Sequence, residues 1–130
     1  MNQSAQRTRY SDEELNEFRT LIEQKLTRAK EQLKFYLDQL AEVADNPDHK
    51  IKALDDGIGT AENERLSDMA GRQRKLIQHL ENAMVRIKNK TYGICRQTGE
   101  LIAKERLRAV PHATLSIEAK QNRTDSGRKY

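Results

Sequence analysis

The chemistry most legible in this chain is a metal site with its ligands removed. A four-thiolate zinc site needs two Cys-x-x-Cys pairs, because two thiolates at that spacing can share one tetrahedral ion. Cys95 is the only cysteine of the 130 residues. Thr98 stands where its partner would be, and Ser116 with Ala119 repeats the spacing without a thiol. Neutral hydroxyls are poor zinc ligands and a methyl group is none, so no metal is expected. Cys95 then reads as a small buried apolar residue, with thiol reactivity the minor alternative. The folding free energy that a metal supplies must come from elsewhere. Ile94, Leu101, Ile102, Leu107, Val110, Leu115 and Ile117 are available for a small core in its place.

Nothing in the sequence makes a catalytic set, and no enzyme is expected. His49, His79 and His112 are far apart with no motif around them. Most acids are scattered along helical stretches. Asp55-Asp56 is the one adjacent pair at a place, a loop, where a solvent-facing acid could act on a partner. Gly57-Ile58-Gly59 lacks the Gly-Lys-Ser continuation of a phosphate loop.

These residues need elements to position them. Ser11-Asp12-Glu13-Glu14 reads as a helix start, with Ser11 and Glu14 forming a capping box. Leu15, Phe18, Ile22, Leu26, Ala29, Leu33, Tyr36, Leu40 and Val43 then recur in steps of three and four, the seam of a coiled coil. The helix is expected from Ser11 to about Asp45, where Asn46-Pro47-Asp48 stops it. The glycines at 57 and 59 read as loop, and Thr60 as the start of a second helix. Its seam is Ala61, Leu66, Met69, Gln73, Leu76, Leu80, Ala83, Met84 and Ile87, and its end falls near Asn89-Lys90. Gln73 reads as a polar register device. Two such helices would form an antiparallel coiled coil about 45 Å long. After Tyr92-Gly93, Glu100-Leu101-Ile102 reads as a short strand, Lys104 to Arg108 as a helical turn, and Leu115 to Gln121 as a short final helix. The expected organisation is a disordered arm over 1–10, a hairpin over 11–91 with its tip at 46–59, a zinc-finger-like globule with a C-terminal helix over 92–121, and a flexible tail over 122–130.

Composition agrees with a mainly α, surface-rich chain. Hydrophobic residues make up 35%, charged residues 34%, and tryptophan is missing, which is too little apolar material for a thick core. Twenty-four basic residues against 20 acidic ones leave a net charge of +4, a mild help in meeting an anionic partner. One cysteine excludes an internal disulfide and points weakly to a reducing compartment. No apolar run reaches the roughly 20 residues of a membrane span, and residues 1–9 do not read as a secretory signal. A cytoplasmic location and no membrane contact are expected.

Several pieces together resemble the DksA/TraR family of bacterial transcription regulators. They are Arg72-Gln73-Arg74-Lys75-Leu76-Ile77, Ile87 to Cys95, Gly99-Glu100-Leu101-Ile102 and Glu105 to Leu115. The family's four cysteines fall on Cys95, Thr98, Ser116 and Ala119. The resemblance implies a long antiparallel coiled-coil hairpin on a small zinc-finger-like globule, here without metal. It implies binding to RNA polymerase rather than DNA, with the coiled coil in the secondary channel and acidic tip residues near the active centre, often acting with the alarmone ppGpp. The family's tip motif falls on Lys52, Asp55 and Gly57, so one of its acids is kept and Asp56 adds another. The basic positions of the alarmone site fall on His79, Val110 and Lys120, of which only Lys120 is basic, and a ppGpp dependence is not expected.

The reading that follows is a non-enzymatic regulator, monomeric, bound to RNA polymerase. Asp55 and Asp56 act at the tip, and Arg72 and Arg74 help to hold the hairpin. One rival is direct nucleic-acid binding through Arg96, Lys104, Arg106, Arg108, Lys120, Arg123, Arg128 and Lys129, against which the few aromatics and interleaved acids speak. The other is a coiled-coil adaptor or oligomerisation protein.

Overall fold

The computed structural model describes residues 8–45, 58–117 and 119–121, side chains excepted at 43–45 and 58–60. Asp55 and Asp56, with the rest of the expected tip up to residue 57, lie outside the described residues, as does the tail over 122–130. The architecture is mainly α. Helix α1 is Asp12–Asp45, α2 is Ile58–Lys88, and α3 is the short Lys104–Ala109. No helix among the described residues is long and apolar enough to cross a membrane.

The capping box forms as its residue types require. The Ser11 N–H donates to Glu14 Oε1 at 2.9 Å, and the Glu14 N–H donates to Ser11 Oγ at 3.2 Å. Asp12, Glu13 and Glu14 in the first turn complement the positive end of the helix. Helix α2 starts at Ile58, two residues before the expected Thr60, so Ile58 and Gly59 are helical and not loop. A glycine costs a helix only about 1 kcal/mol, which an extended apolar seam outweighs. At the other end α2 closes with Lys90 in the left-handed region (φ 64°), while the N–H groups of Thr91 and Tyr92 donate to the Arg86 carbonyl.

The chain divides into two compact units. The first takes Met1–Gln24 with His79–Tyr130, and the second takes Lys25–Gln78. In the first, the start of α1 lies antiparallel to the end of α2, and the Lys90–Asp12 ion pair at 2.7 Å ties the two ends. Leu15, Phe18 and Ile22 of α1 and Leu80 and Ala83 of α2 are buried, as are Tyr10, Tyr92, Cys95, Ile102 and Leu107. Tyr10 is therefore part of the core and not of a disordered arm. Its ring lies 5.9 Å from Phe18, which lies 5.4 Å from Tyr92, and its hydroxyl donates to the Ile102 carbonyl. Gly93 makes this possible, since its φ is +77° and a Cβ there would sit 2.7 Å from the Tyr10 ring.

The expected strand at 100–102 is reduced to a single antiparallel bridge, Ile94 to Leu101. It is framed by the Ile102 N–H donating to the Gly93 carbonyl and the Cys95 N–H to the Glu100 carbonyl, both at 2.7 Å. Ile117, expected in the small core, is 54% exposed, whereas Ile102 and Leu107 are fully buried. Ile117 lies at the start of the final helical turn, which buries Ala119 instead.

In the second unit Ala29, Leu66 and Ala70 are buried, and Leu26, Leu33, Tyr36, Leu40, Met69 and Leu76 are half-buried, along the expected seam. Gln73 is half-buried in that seam, but Ala61 is exposed. Exposed ion pairs, Lys34–Asp38 and Arg65–Glu62, decorate the outside.

Candidate functional site

The stretch from Cys95 to Gly99 turns as a metal knuckle would. The Gly99 N–H donates to the Cys95 carbonyl at 2.8 Å, and Gly99 sits at φ +76°, where a side chain would be strained. Hydrogen bonds engage all four positions of the thiolate set. Cys95 Sγ accepts from the Ser116 N–H at 3.4 Å, and Ser116 Oγ accepts from the Ala119 N–H at 3.1 Å. Thr98 Oγ1 accepts from the Glu100 N–H at 3.2 Å. Burial opposes ionisation of the Cys95 thiol. Hydrogen bonds from the Thr98 hydroxyl and from the backbone N–H groups of Ser116, Thr98 and Gln97 outweigh it and hold the thiol near 6. This donor set does not fit a tetrahedral zinc ion: it offers one sulfur, two hydroxyls already engaged as acceptors, and a methyl group. Among the described residues no three His, Cys, Asp or Glu side chains come together as a metal site.

Beside the knuckle lies a cleft of about 700 Å³, lined among others by His79, Asn82, Arg86, Arg96, Arg106, His112 and Lys120. Helix α2 supplies His79, Asn82 and Arg86, whose spacing of three and then four residues puts them on one face. Arg86 reaches the His112 carbonyl at 3.5 Å, and burial lowers its pKa. Arg106, on α3, donates from Nε to the Leu115 carbonyl at 2.7 Å. The His79 and His112 rings stack, with centroids 5.4 Å apart and planes 12° apart. His112 Nδ1 is buried with no hydrogen-bond partner, and burial, His79 and Arg86 all lower the His112 pKa. No carboxylate among the described residues lines this cleft.

The structure brings His112 into one cleft with residues that its sequence neighbourhood did not connect to it. His79, Val110 and Lys120 share the cleft, and Arg86, Arg96 and Arg106 supply cations that alignment to the alarmone site does not reveal. Lys104, counted among the nucleic-acid candidates, is engaged with Glu14 at 2.5 Å, and Arg108 is exposed. Arg123, Arg128 and Lys129 lie outside the described residues. Arg72 and Arg74 are exposed on α2. Cys95, Thr98, Ser116 and Ala119 converge as their spacing suggests. The readable signal missed in the sequence was the shared helical face of His79, Asn82 and Arg86. The partner ring, His112, belongs to a turn, and no periodicity announces it.

Comparison with known proteins adds four findings. Residues 90–124 match the prokaryotic DksA/TraR C4-type zinc finger. The chain is 27% identical over 106 residues to general stress protein 16O of Bacillus subtilis, covering 80% of this chain and 63% of that protein. It is 48% identical over 50 residues to the RNA polymerase-binding transcription factor DksA of Caulobacter vibrioides, covering 38% of this chain and 35% of that one. The chain therefore spans less than two thirds of either relative's length. Among solved structures, transcription factor DksA2 of Pseudomonas aeruginosa superposes with a TM-score of 0.79 at 25% identity, covering 88% of this chain and 85% of that one. The likeness extends far beyond the zinc-finger segment, and the coiled-coil fold is shared.

Proposed function

With residues 90–124 a member of the DksA/TraR zinc-finger family in a thiol-depleted form, we propose that the protein is a non-enzymatic transcription regulator that binds RNA polymerase. The observation that carries the reading is the fold shared with DksA2 over 88% of the chain. It accounts for the long helices, which the sequence match to the zinc finger alone does not. The partner is drawn from the Caulobacter relative, which is named for binding RNA polymerase.

On this reading the coiled coil enters the secondary channel of the polymerase and adjusts initiation. Asp55 and Asp56 act at its tip. Arg72 and Arg74, exposed and charged on α2, help to hold the hairpin on the polymerase. The knuckle aims the hairpin without zinc, its Cys95–Ser116 hydrogen bond and apolar core standing in for the ion. The protein acts as a cytoplasmic monomer and takes no direct hold on DNA.

Capture of core RNA polymerase by the immobilised full chain tests the reading. Binding at micromolar concentration is expected, with competition by a known secondary-channel factor. Arg72→Ala with Arg74→Ala should weaken capture. Asp55→Asn with Asp56→Asn should keep capture and lose the effect on promoter complexes. No capture would overturn the proposal. Retention on duplex DNA that falls steeply with salt would favour the nucleic-acid alternative.

A further inference from the structure

We propose that the apolar recess between α1 and the last turns of α2, lined by Met84, Val85 and Ile87, is a docking groove for an acid-flanked amphipathic helix of a protein partner.

The recess lies on the side of the helix pair that the knuckle leaves uncovered. Arg19 of α1 and Met84, Val85, Ile87 and Lys88 of α2 line a volume of about 480 Å³. Successive residues of a helix turn by about 100°, so Met84 and Lys88, each two residues from Arg86, point roughly 200° away from it. Arg86 faces the cleft beside the knuckle. The knuckle thus covers one flank of α2, and the recess opens on another.

Three apolar side chains meet water at this one place. Val85 is 55% exposed, and Met84 and Ile87 are half-buried. Apolar residues exposed singly are ordinary on a protein surface, whereas a concave apolar cluster marks a contact site. Both helices contribute to the walls, so a third helix laid along the pair covers them, with its apolar face in the groove. Residues 84–88 span one turn, about 6 Å of helix axis, so two apolar side chains four residues apart on the incoming helix fill the space. Met84 is unbranched and adapts to the shape of what enters.

Charge selects the occupant. No carboxylate among the described residues lines the recess, and its two charged lining residues, Arg19 and Lys88, are cations on opposite helices. Lys88 is exposed in the last turn of α2. Arg19 pairs with Glu23 at 3.0 Å, and both side chains are more than half exposed. Such a pair is weak, and a carboxylate held by a docked helix exchanges with it at little cost. The preceding acid of α2, Glu81, stands one turn before Val85 and lies outside the lining. Acids beside the apolar stripe of the incoming helix therefore meet a cation on each wall, whereas a basic helix meets two like charges.

A second copy of the chain fits the groove less well. Its one large exposed apolar residue on α1 is Phe35, which has acids at Glu31 and Asp38. The positions three and four residues away on either side are Glu31, Gln32, Asp38 and Gln39, so no second apolar anchor accompanies it.

Methyl-group NMR of the full chain tests this with a synthetic helix of about 15 residues, carrying leucines four apart with glutamates beside them. Saturable shifts should appear at Met84, Val85 and Ile87 at peptide concentrations up to about 1 mM. The same peptide with lysine in place of glutamate should bind at least about tenfold more weakly. Val85→Glu changes an exposed residue, so the melting temperature should stay, and the glutamate peptide should lose at least about tenfold in affinity. Lys88→Glu should narrow the preference for the glutamate peptide. Absence of shifts, shifts confined to the cleft around Arg86 and Arg96, or equal binding of the two peptides would overturn the proposal. Self-association of the chain alone that Val85→Glu abolishes, read by sedimentation, would give the groove to a second copy and overturn it too. No polymerase enters these measurements, so this proposal and the polymerase reading can fail separately.

Discussion

The two compact units of the chain bury their apolar residues in different ways. The largest fully buried side chains, Tyr92, Ile22, Leu80, Ile102, Leu107 and Cys95, all belong to the unit formed by Met1–Gln24 and His79–Tyr130. The unit Lys25–Gln78 buries only Ala29, Leu66 and Ala70 among its described residues, two of them alanines, and leaves its leucines half-exposed along the seam. A two-helix seam has one contact stripe per helix, and water reaches both of its edges. The first unit adds a third layer, the knuckle, which covers the ends of both helices with Tyr92, Ile102 and Leu107. Aromatic and aliphatic groups thus meet from three sides in the first unit, and a seam alone offers no such reserve.

The largest test of this comparison puts the metal back. Thr98→Cys, Ser116→Cys and Ala119→Cys together complete a four-thiolate set around Cys95. The variant should bind one zinc ion, melt at a markedly higher temperature with zinc than with a chelator, and lose the hydrogen bond that the Ser116 hydroxyl accepts from the N–H of residue 119. Structural zinc in small fingers is worth about 10 kcal/mol or more. Because the core already folds, zinc binding to the folded state adds to its stability. The parent chain should melt at the same temperature with or without chelator. Stoichiometric zinc in the parent, or its unfolding by chelator, would show that apolar packing does not replace the ion.

Truncation compares the two units directly. Leu107→Ala empties a fully buried site and should cost about 2–5 kcal/mol in denaturant unfolding. Leu33→Ala removes a half-buried seam residue in the other unit and should cost about 1 kcal/mol, because the shell around it is already partly water. Equal costs would mean that the seam is as tightly packed as the base. Gly93→Ala comes next, at about 1–3 kcal/mol. It meets two penalties, a φ of +77° and a Cβ 2.7 Å from the Tyr10 ring. Pairing it with Tyr10→Ala should recover the steric part and leave the backbone part, which a double-mutant cycle separates.

The seam was readable in the sequence because helical periodicity is a local signal. Leu15, Phe18, Ile22, Ala29, Leu66 and Leu80 each sit where steps of three and four put them, and Ser11 with Glu14 announced the start of α1 within one residue. The convergence of Cys95 with Ser116 was readable from the spacing of a metal knuckle. Three things were hidden, two of them because they depend on contacts between segments with no shared period. Tyr10 has no helical neighbours to mark it as apolar, and its burial follows from the space that Gly93 leaves. Ile58 and Gly59 are helical although their composition speaks for a loop. His79 and His112 looked like two unrelated polar residues until the turn after Pro111 folded back onto α2. Ile117 errs in the other direction, since its residue type says core and its place at the start of a helical turn faces it to solvent.

The smallest expected effect lies at the tie between the ends of α1 and α2. Asp12 accepts from Lys90 at 2.7 Å and from Arg9 at 3.3 Å, and these hydrogen bonds hold its carboxyl below the ordinary value of 3.8. A carboxylate whose folded value is depressed contributes stability that is present above its unfolded value and lost as pH falls through the folded one. All three side chains are substantially exposed, so the contribution is a minor one that salt screens. Asp12→Asn should therefore lower the melting temperature slightly at neutral pH and low salt. The difference should shrink at about 1 M salt, where the screening length is a few ångströms, and should vanish in acid below the folded value. A difference that persists in acid would assign the Asp12 effect to the helix start and not to the charge. A large difference at neutral pH would mean that the first unit depends on this ion pair as well as on its apolar core.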